Sequence, residues 1–235
     1  MTPRLLTRTL LAAALGAGLA TSAHAGLANG SFEDLLVEMP GSLFVQTAAE
    51  NVPGWMTTAS DGKIEIWQGM GPNSEVPEGP SEDGSRYAEL NATQSSTLFQ
   101  DVTGVAADAI VGWSLAHRGR TGEDTMRLTI TDLGEDGVFG TLDDEELFTD
   151  TFTDGLAWQQ HSGTDIVALG NTVRFAFEAV STANGDLTTG NFLDAADFGV
   201  GVGVPTPPVP EPGTWAMMLA GLAATAGIAR RMRRA

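Results

Sequence analysis

Residues 132 to 143 read Asp132-Leu133-Gly134-Glu135-Asp136-Gly137-Val138-Phe139-Gly140-Thr141-Leu142-Asp143, a spacing of carboxylates and glycines suited to wrapping a hard cation in oxygen ligands. With Asp132 at the first position of a calcium loop, Asp136 falls at the fifth, Gly137 at the sharp turn and Asp143 at the twelfth. Gly134 stands where an acid is usual and Asp143 where a bidentate glutamate is usual, and strand-like patterns flank the segment, so it is not an EF-hand. Calcium held by Asp132, Asp136, Asp143 and main-chain carbonyls is one reading. An acidic hairpin turn, with glycine supplying positive φ and aspartate capping the turn, is the other.

A second group of residues suits sugar. Trp55, Trp67, Trp113 and Trp158 offer flat aromatic faces, although core packing is the commoner use of such rings. Trp113 alternates with Val111 and Leu115 and shares their apolar face, whereas Trp67 ends the Ile64-Ile66 segment on the opposite parity and is free to face outward. Arg118 and Arg120 follow His117 directly after a strand-like run and either bind an acidic sugar or pair with neighbouring carboxylates; an acid-rich chain favours pairing. Trp67, Arg118 and Arg120 are the candidate ligand-binding residues. Catalysis has no comparable constellation: there is no nucleophile elbow, no His-Glu-x-x-His helix and no phosphate-cradling loop. Two carboxylates about 5 to 10 Å apart would suffice for a glycosidase, which abundant acids leave open, but the chain reads as a non-enzyme.

The two ends of the chain are addresses. Pro210-Glu211-Pro212 is followed by an apolar run from Thr214 to Ala229 and then by Arg230, Arg231, Arg233 and Arg234. The run would span about 24 Å as a helix, a marginal membrane crossing, and the arginines should stay cytoplasmic, leaving everything before Pro210 on the far side. This order resembles the PEP-CTERM sorting tail, which implies recognition by the membrane protease exosortase, a transient membrane anchor cut near Pro210-Glu211-Pro212, and delivery of the body to the cell surface or matrix. At the other end Arg4 and Arg8 precede an apolar stretch from Leu10 to Ala20, and Ala23-His24-Ala25 supplies a signal-peptidase site before Gly26. The expected division is a signal peptide at 1–25, one domain at 26–204, a proline-rich linker at 205–209 and the sorting segment at 210–235.

The ends hold six of the twelve basic residues and one of the thirty acids, so the body carries 29 acids against 6 bases, a formal charge of -23. A surface of that sign excludes a nucleic-acid partner. It should repel itself unless cations bind, which makes structural calcium an expectation. The chain has no cysteine, so neither disulfides nor thiolate metal sites contribute.

The elements that must position these residues are strands. Alternation runs through Lys63 to Trp67, Arg86 to Leu90, Thr97 to Val102, Ala109 to His117, Thr125 to Thr131 and Thr172 to Val180, where Val173, Phe175 and Phe177 share a face. Leu27 to Phe32, Glu146 to Phe152 and Phe192 to Val200 bring the count to about nine. Glycine, asparagine, aspartate and serine cluster between them, and no body segment keeps a helical period over three turns. The pattern predicts an all-β, two-sheet jelly-roll sandwich, flanked by the signal peptide and a single C-terminal hydrophobic helix.

Asn29-Gly30-Ser31-Phe32-Glu33, Pro53-Gly54-Trp55, Tyr87-Ala88-Glu89-Leu90-Asn91 and Gly190-Asn191-Phe192-Leu193-Asp194 together resemble the galactose-binding-domain-like jelly rolls that include many carbohydrate-binding modules. The resemblance implies a structural calcium joining the first and last strands, with Glu33 and Asp194 as its ligands. This chain has Ala195 where a second aspartate is commoner, with Asp197 two residues on, and the alternative is that Glu33 and Asp194 are solvated edge residues. The expected function is polysaccharide binding at the surface through a calcium-stabilised jelly roll. A structural matrix protein without a defined sugar site is the alternative, with a glycoside hydrolase behind it.

Overall fold

The structure, a computed structural model, describes residues 26–39, 41–69, 81–170 and 172–200. The expected signal peptide, linker and C-terminal helix, with the sorting segment, lie outside the described residues. Among the described residues no helix is long and apolar enough to cross a membrane, and a short 3₁₀ turn at Ala49–Asn51 is the only helical piece.

Eleven strands follow in chain order: β1 (Phe44–Ala48), β2 (Met56–Thr57), β3 (Lys63–Gln68), β4 (Arg86–Glu89), β5 (Thr97–Thr103), β6 (Ile110–Arg118), β7 (Asp124–Asp132), β8 (Glu145–Asp154), β9 (Gln159–Val167), β10 (Thr172–Ser181) and β11 (Phe192–Val200). They form a six-stranded sheet in the order β1-β3-β4-β11-β6-β9 and a five-stranded sheet in the order β2-β5-β10-β7-β8, antiparallel at every pairing. The chain crosses between sheets repeatedly, giving the two-sheet jelly roll that the alternation predicts.

Alternation sets the core. Leu98 and Val102 of β5, Leu128 and Ile130 of β7 and Val173, Phe175 and Phe177 of β10 face Ile64 and Ile66 of β3, Val111, Trp113 and Leu115 of β6 and Leu193 and Phe198 of β11, all essentially removed from water. Each such side chain contributes about 1.5 to 3 kcal/mol of apolar burial. Along β10 the intervening Arg174, Ala176 and Glu178 remain partly exposed, as a half-buried strand requires.

Leu27 to Phe32 is a correction: it forms a turn, not a strand. Asn29 and Phe32 have φ of 50° and 57°, which no extended ladder tolerates. The turn drives the Phe32 ring into the core against Trp55, with centroids 4.7 Å apart, and the Trp55 indole N–H donates to the Asn29 carbonyl at 2.9 Å. It also docks on β11, because Ala196 N–H donates to the Gly30 carbonyl at 3.0 Å. A Cβ at Gly30 would lie 1.7 Å from the Ala196 carbonyl oxygen, so only glycine permits that approach.

A bulge in β11 re-aims its side chains. The register with β6 shifts between Asp194 and Asp197, with Ala195 at φ 47°. Leu193 before the bulge and Phe198 after it therefore both reach the core despite opposite parity. Three strands escaped the sequence pattern. β1 and β9 are sheet edges, β2 is two residues long, and the composition of β9, Gln159-Gln160-His161-Ser162-Gly163, carries no apolar alternation.

Candidate functional site

The outer face of the six-stranded sheet carries a second, smaller core. Register places Gln46, Glu65, Glu89, Phe192 and Arg118 in one row across β1, β3, β4, β11 and β6. Phe44, Trp67 and Tyr87 form the adjacent row. Trp67, Tyr87 and Phe192 are buried together with Trp158 packed against them. The rings meet edge-on or stacked: Trp67 to Phe192 at 5.6 Å, Tyr87 to Phe192 at 4.9 Å, Tyr87 to Trp158 at 5.5 Å and Phe44 to Trp67 at 4.8 Å.

The three residues singled out in the sequence converge here. The Arg118 guanidinium carbon lies 4.8 Å from the Phe192 ring centre and 5.1 Å from that of Trp158, and that of Arg120 lies 4.6 Å from Trp67, distances at which cation–π attraction operates. Trp67 has the outward parity expected of it, yet the structure corrects its exposure: it is 2% exposed, because Phe44 stacks on its ring and Arg120 lies over it. Arg118 is also buried, and the Arg120 side chain is 21% exposed. The accessible parts are Phe44, the partly buried Trp158, Arg120 and exposed Gln160.

Beneath Arg120 lies a carboxyl pair that sequence reasoning missed. The Trp67 indole N–H donates to Glu65 Oε1 and to Glu89 Oε2, both at 2.8 Å. Gln46 donates to the other oxygen of Glu65 at 2.6 Å, and Gly190 N–H donates to the other oxygen of Glu89 at 2.6 Å. Arg120 Nη1 completes the group, 3.1 and 3.2 Å from the two Glu89 oxygens. Burial and the neighbouring Glu65 carboxyl push Glu89 up to about 8. Glutamates on the outer parity of otherwise apolar strands were the one available signal, and only cross-strand register reveals that they face each other.

A buried polar network braces one end of this face. His117, with no exposed surface, lies 2.7 Å from Asp154 Oδ2 and 3.0 Å from Asn191 Oδ1, and His161 reaches the same Asp154 oxygen at 2.8 Å. Partial burial opposes ionisation of Asp154, but hydrogen bonds from the two histidines hold it below its ordinary value. Asp124 accepts Arg120 N–H and Asn191 N–H at 2.8 and 2.9 Å, tying the start of β7 to the loop before β11.

Glu33 and Asp194 end on the same loop. Glu33 Oε1 accepts Ser85 and Arg86 N–H at 2.6 and 2.7 Å, and Asp194 Oδ2 accepts Glu82 and Asp83 N–H at 2.8 and 2.9 Å. Asp194 is fully buried, not a solvated edge residue, and burial pushes its carboxyl up to about 8. Calcium there would take its carboxylate oxygens from these two acids, whose four oxygens each already accept a protein N–H or O–H. Among the described residues, however, no group of three or more His, Cys, Asp or Glu is arranged to hold a metal.

In the loop after β7 the carboxylates satisfy main-chain donors. Asp132 accepts Gly134, Leu169 and Gly170 N–H at 3.0, 3.0 and 2.6 Å; Asp136 accepts Val138 N–H at 2.8 Å; Asp143 accepts Glu135 N–H at 2.9 Å and the Thr141 hydroxyl at 2.7 Å. Gly134, Gly137 and Gly140 all have positive φ. These are the bonds of an acidic turn.

Residues 208–234 match the PEP-CTERM protein-sorting motif, so the chain carries a tail that directs export and surface sorting. No curated protein matches the sequence. In fold the described body is similar to a Stig cyclase from Fischerella sp. TAU, solved with a pyrrolidinylidene-indole ligand, at 14% identity and TM-score 0.53 over 77% of this chain and 98% of that one. Carbohydrate-binding modules are also among its structural neighbours. A CBM4 structure is similar at 14% identity and TM-score 0.41, over 74% and 99% of the two chains. TmCBM61 in complex with β-1,4-galactotriose is similar at 14% identity and TM-score 0.43, over 63% and 90%. These likenesses are likenesses of fold.

Proposed function

We propose that this chain is a non-catalytic surface protein, released to the cell surface or matrix through exosortase processing near Pro210-Glu211-Pro212 after a transient membrane anchorage, and that its jelly roll binds polysaccharide on the outer face of the six-stranded sheet. The observation that carries the reading is the convergence of Trp67, Arg118 and Arg120, from two distant parts of the sequence, on one aromatic cluster. Rings of Trp158 and Phe44 at its accessible rim offer flat surfaces to sugar C–H groups, while Arg120 and Gln160 supply donors for hydroxyls. Trp67 supports this face from below. Signal peptidase acts at Ala25, and calcium between Glu33 and Asp194 fastens the 81–86 loop to the first and last segments.

The test is calorimetry of the full-length chain in mild detergent against the producing cell's own polysaccharide. Trp158→Ala should weaken saturable binding about tenfold without unfolding the protein. Unchanged affinity in that variant would place the sugar elsewhere, and release of reducing ends would overturn the non-catalytic reading.

A further inference from the structure

Exposed apolar side chains gather at one end of the sandwich. Among the described residues thirteen large apolar side chains are exposed, and six of them, Ile110, Val138, Phe139, Leu142, Val167 and Leu169, belong to this end. Strand pairing defines it. Ile110 opens β6 opposite Val167, the last residue of β9. Leu169 N–H donates to Asp132 at the end of β7, and the loop from 133 to 144 that follows carries Val138, Phe139 and Leu142. Leu142 is fully exposed, and Phe139 rests against Arg174 yet keeps 55% of its surface in water. Apolar surface concentrated in this way on an acidic body marks a contact.

The loop holds its apolar side chains outward. Gly137 and Gly140 turn the backbone with φ of 64° and 92°. The loop's own carboxylates then bond its main chain: Asp136 accepts Val138 N–H at 2.8 Å and Asp144 accepts Gly140 N–H at 2.6 Å. These bonds fix the loop from within and leave Val138, Phe139 and Leu142 to meet a partner. Charge restricts what that partner is. No lysine or arginine occurs from 132 to 171, and Glu135, Asp136 and Asp143 are exposed there. An anionic surface is therefore repelled, and so is a second copy carrying the same acids.

The course of the chain brings a membrane to this end. β11 finishes at Val200, paired with Val111 next to Ile110, so the chain leaves the sandwich here. Thirteen residues, 201–213, separate Val200 from the apolar run at Thr214 to Ala229 within the sorting tail, and even fully extended they reach no more than about 45 Å. We propose that this end of the sandwich docks on a zwitterionic phospholipid surface while the tail anchors the chain, with Val138, Phe139 and Leu142 entering the interface beside Ile110, Val167 and Leu169. The docking rests on the membrane anchorage proposed above. Zwitterionic lipid has no net charge to oppose the acids, and its ammonium groups suit Glu135, Asp136 and Asp143 at the headgroup level. The tether makes the contact effectively intramolecular, so a few apolar side chains suffice to hold the body down. Docked in this way the body points its opposite end away from the bilayer, and cutting the tail removes the tether and releases it.

The experiment is spin labelling of the full chain, reconstituted through its own tail in vesicles of phosphatidylcholine and phosphatidylethanolamine. The chain has no cysteine, so Leu142→Cys takes a single label. Leu187→Cys, exposed in the loop between β10 and β11, labels the opposite end. Both positions are exposed, so folding is preserved, and circular dichroism verifies it. Accessibility to oxygen and to a water-soluble nickel complex should place the Leu142 label about 5 to 10 Å into the lipid boundary and the Leu187 label in water. Val138→Glu with Phe139→Glu should return the Leu142 label to water, as should replacing a large share of the lipid with anionic phosphatidylglycerol. A Leu142 label in water on chains that float with the vesicles overturns the docking and leaves the anchorage standing. A label shielded from both oxygen and nickel reports a protein contact and overturns a lipid partner, and unchanged depth in phosphatidylglycerol overturns the zwitterionic assignment. Chains that do not float with the vesicles overturn the anchorage and the docking together.

Discussion

Glu89 is 1% exposed and faces a second buried carboxyl, so it keeps its proton to about pH 8 in the folded chain against 4.5 ordinarily. Between those values the folded state binds the extra proton. Stability from this group is therefore full below about pH 4.5 and is lost as pH rises through about 8. The wild-type chain should lose at least about 1 kcal/mol of unfolding free energy between pH 5 and pH 8, and Glu89→Gln should flatten that slope; equal slopes in chemical denaturation of the two would contradict the buried-proton account. Neighbouring tryptophans should behave differently. Trp67, buried and bonded to both glutamates, should cost about 3 to 5 kcal/mol on change to alanine. Trp158, at the rim, should affect stability little and ligand binding most. Thermal melts and binding curves of the two variants separate these effects.

At the scale of elements, period-two alternation was legible in eight of the nine expected segments, because a strand with one face in the core records that face in its sequence. β9 was not legible: its side chains are mostly exposed and its position is fixed by main-chain pairing with β6. Asn29 and Phe32 concealed a turn, since a buried phenylalanine after an apolar run looks the same in a strand. The candidate site was half legible. Trp67, Arg118 and Arg120 stood out by type, but their meeting, and the facing of Glu65 and Glu89, depend on a strand order that no local pattern encodes. Two substitutions probe these elements. Gly30→Val, which would drive a side chain into the Ala196 carbonyl, should destabilise by about 1 to 3 kcal/mol through overpacking. Asp132→Ala removes the acceptor of three main-chain N–H groups and should cost about 1 to 3 kcal/mol. Denaturation with calcium and with chelator tells whether that cost belongs to the turn alone, as its hydrogen bonds indicate, or to a bound cation.

The whole molecule combines a sorting tail at 208–234 with an acidic jelly-roll body. Under the proposed assignment calcium should raise the melting temperature of the wild-type chain but not of Asp194→Asn. On the proposed reading, surface delivery brings the protein to polysaccharide and the aromatic–arginine cluster holds it there. Retention of the full-length chain on immobilised polysaccharide from the producing cell, compared with Trp158→Ala, tests this most directly. The account predicts saturable retention that falls about tenfold in the variant; equal retention of both folded proteins, or none of either, would contradict polysaccharide binding at this face.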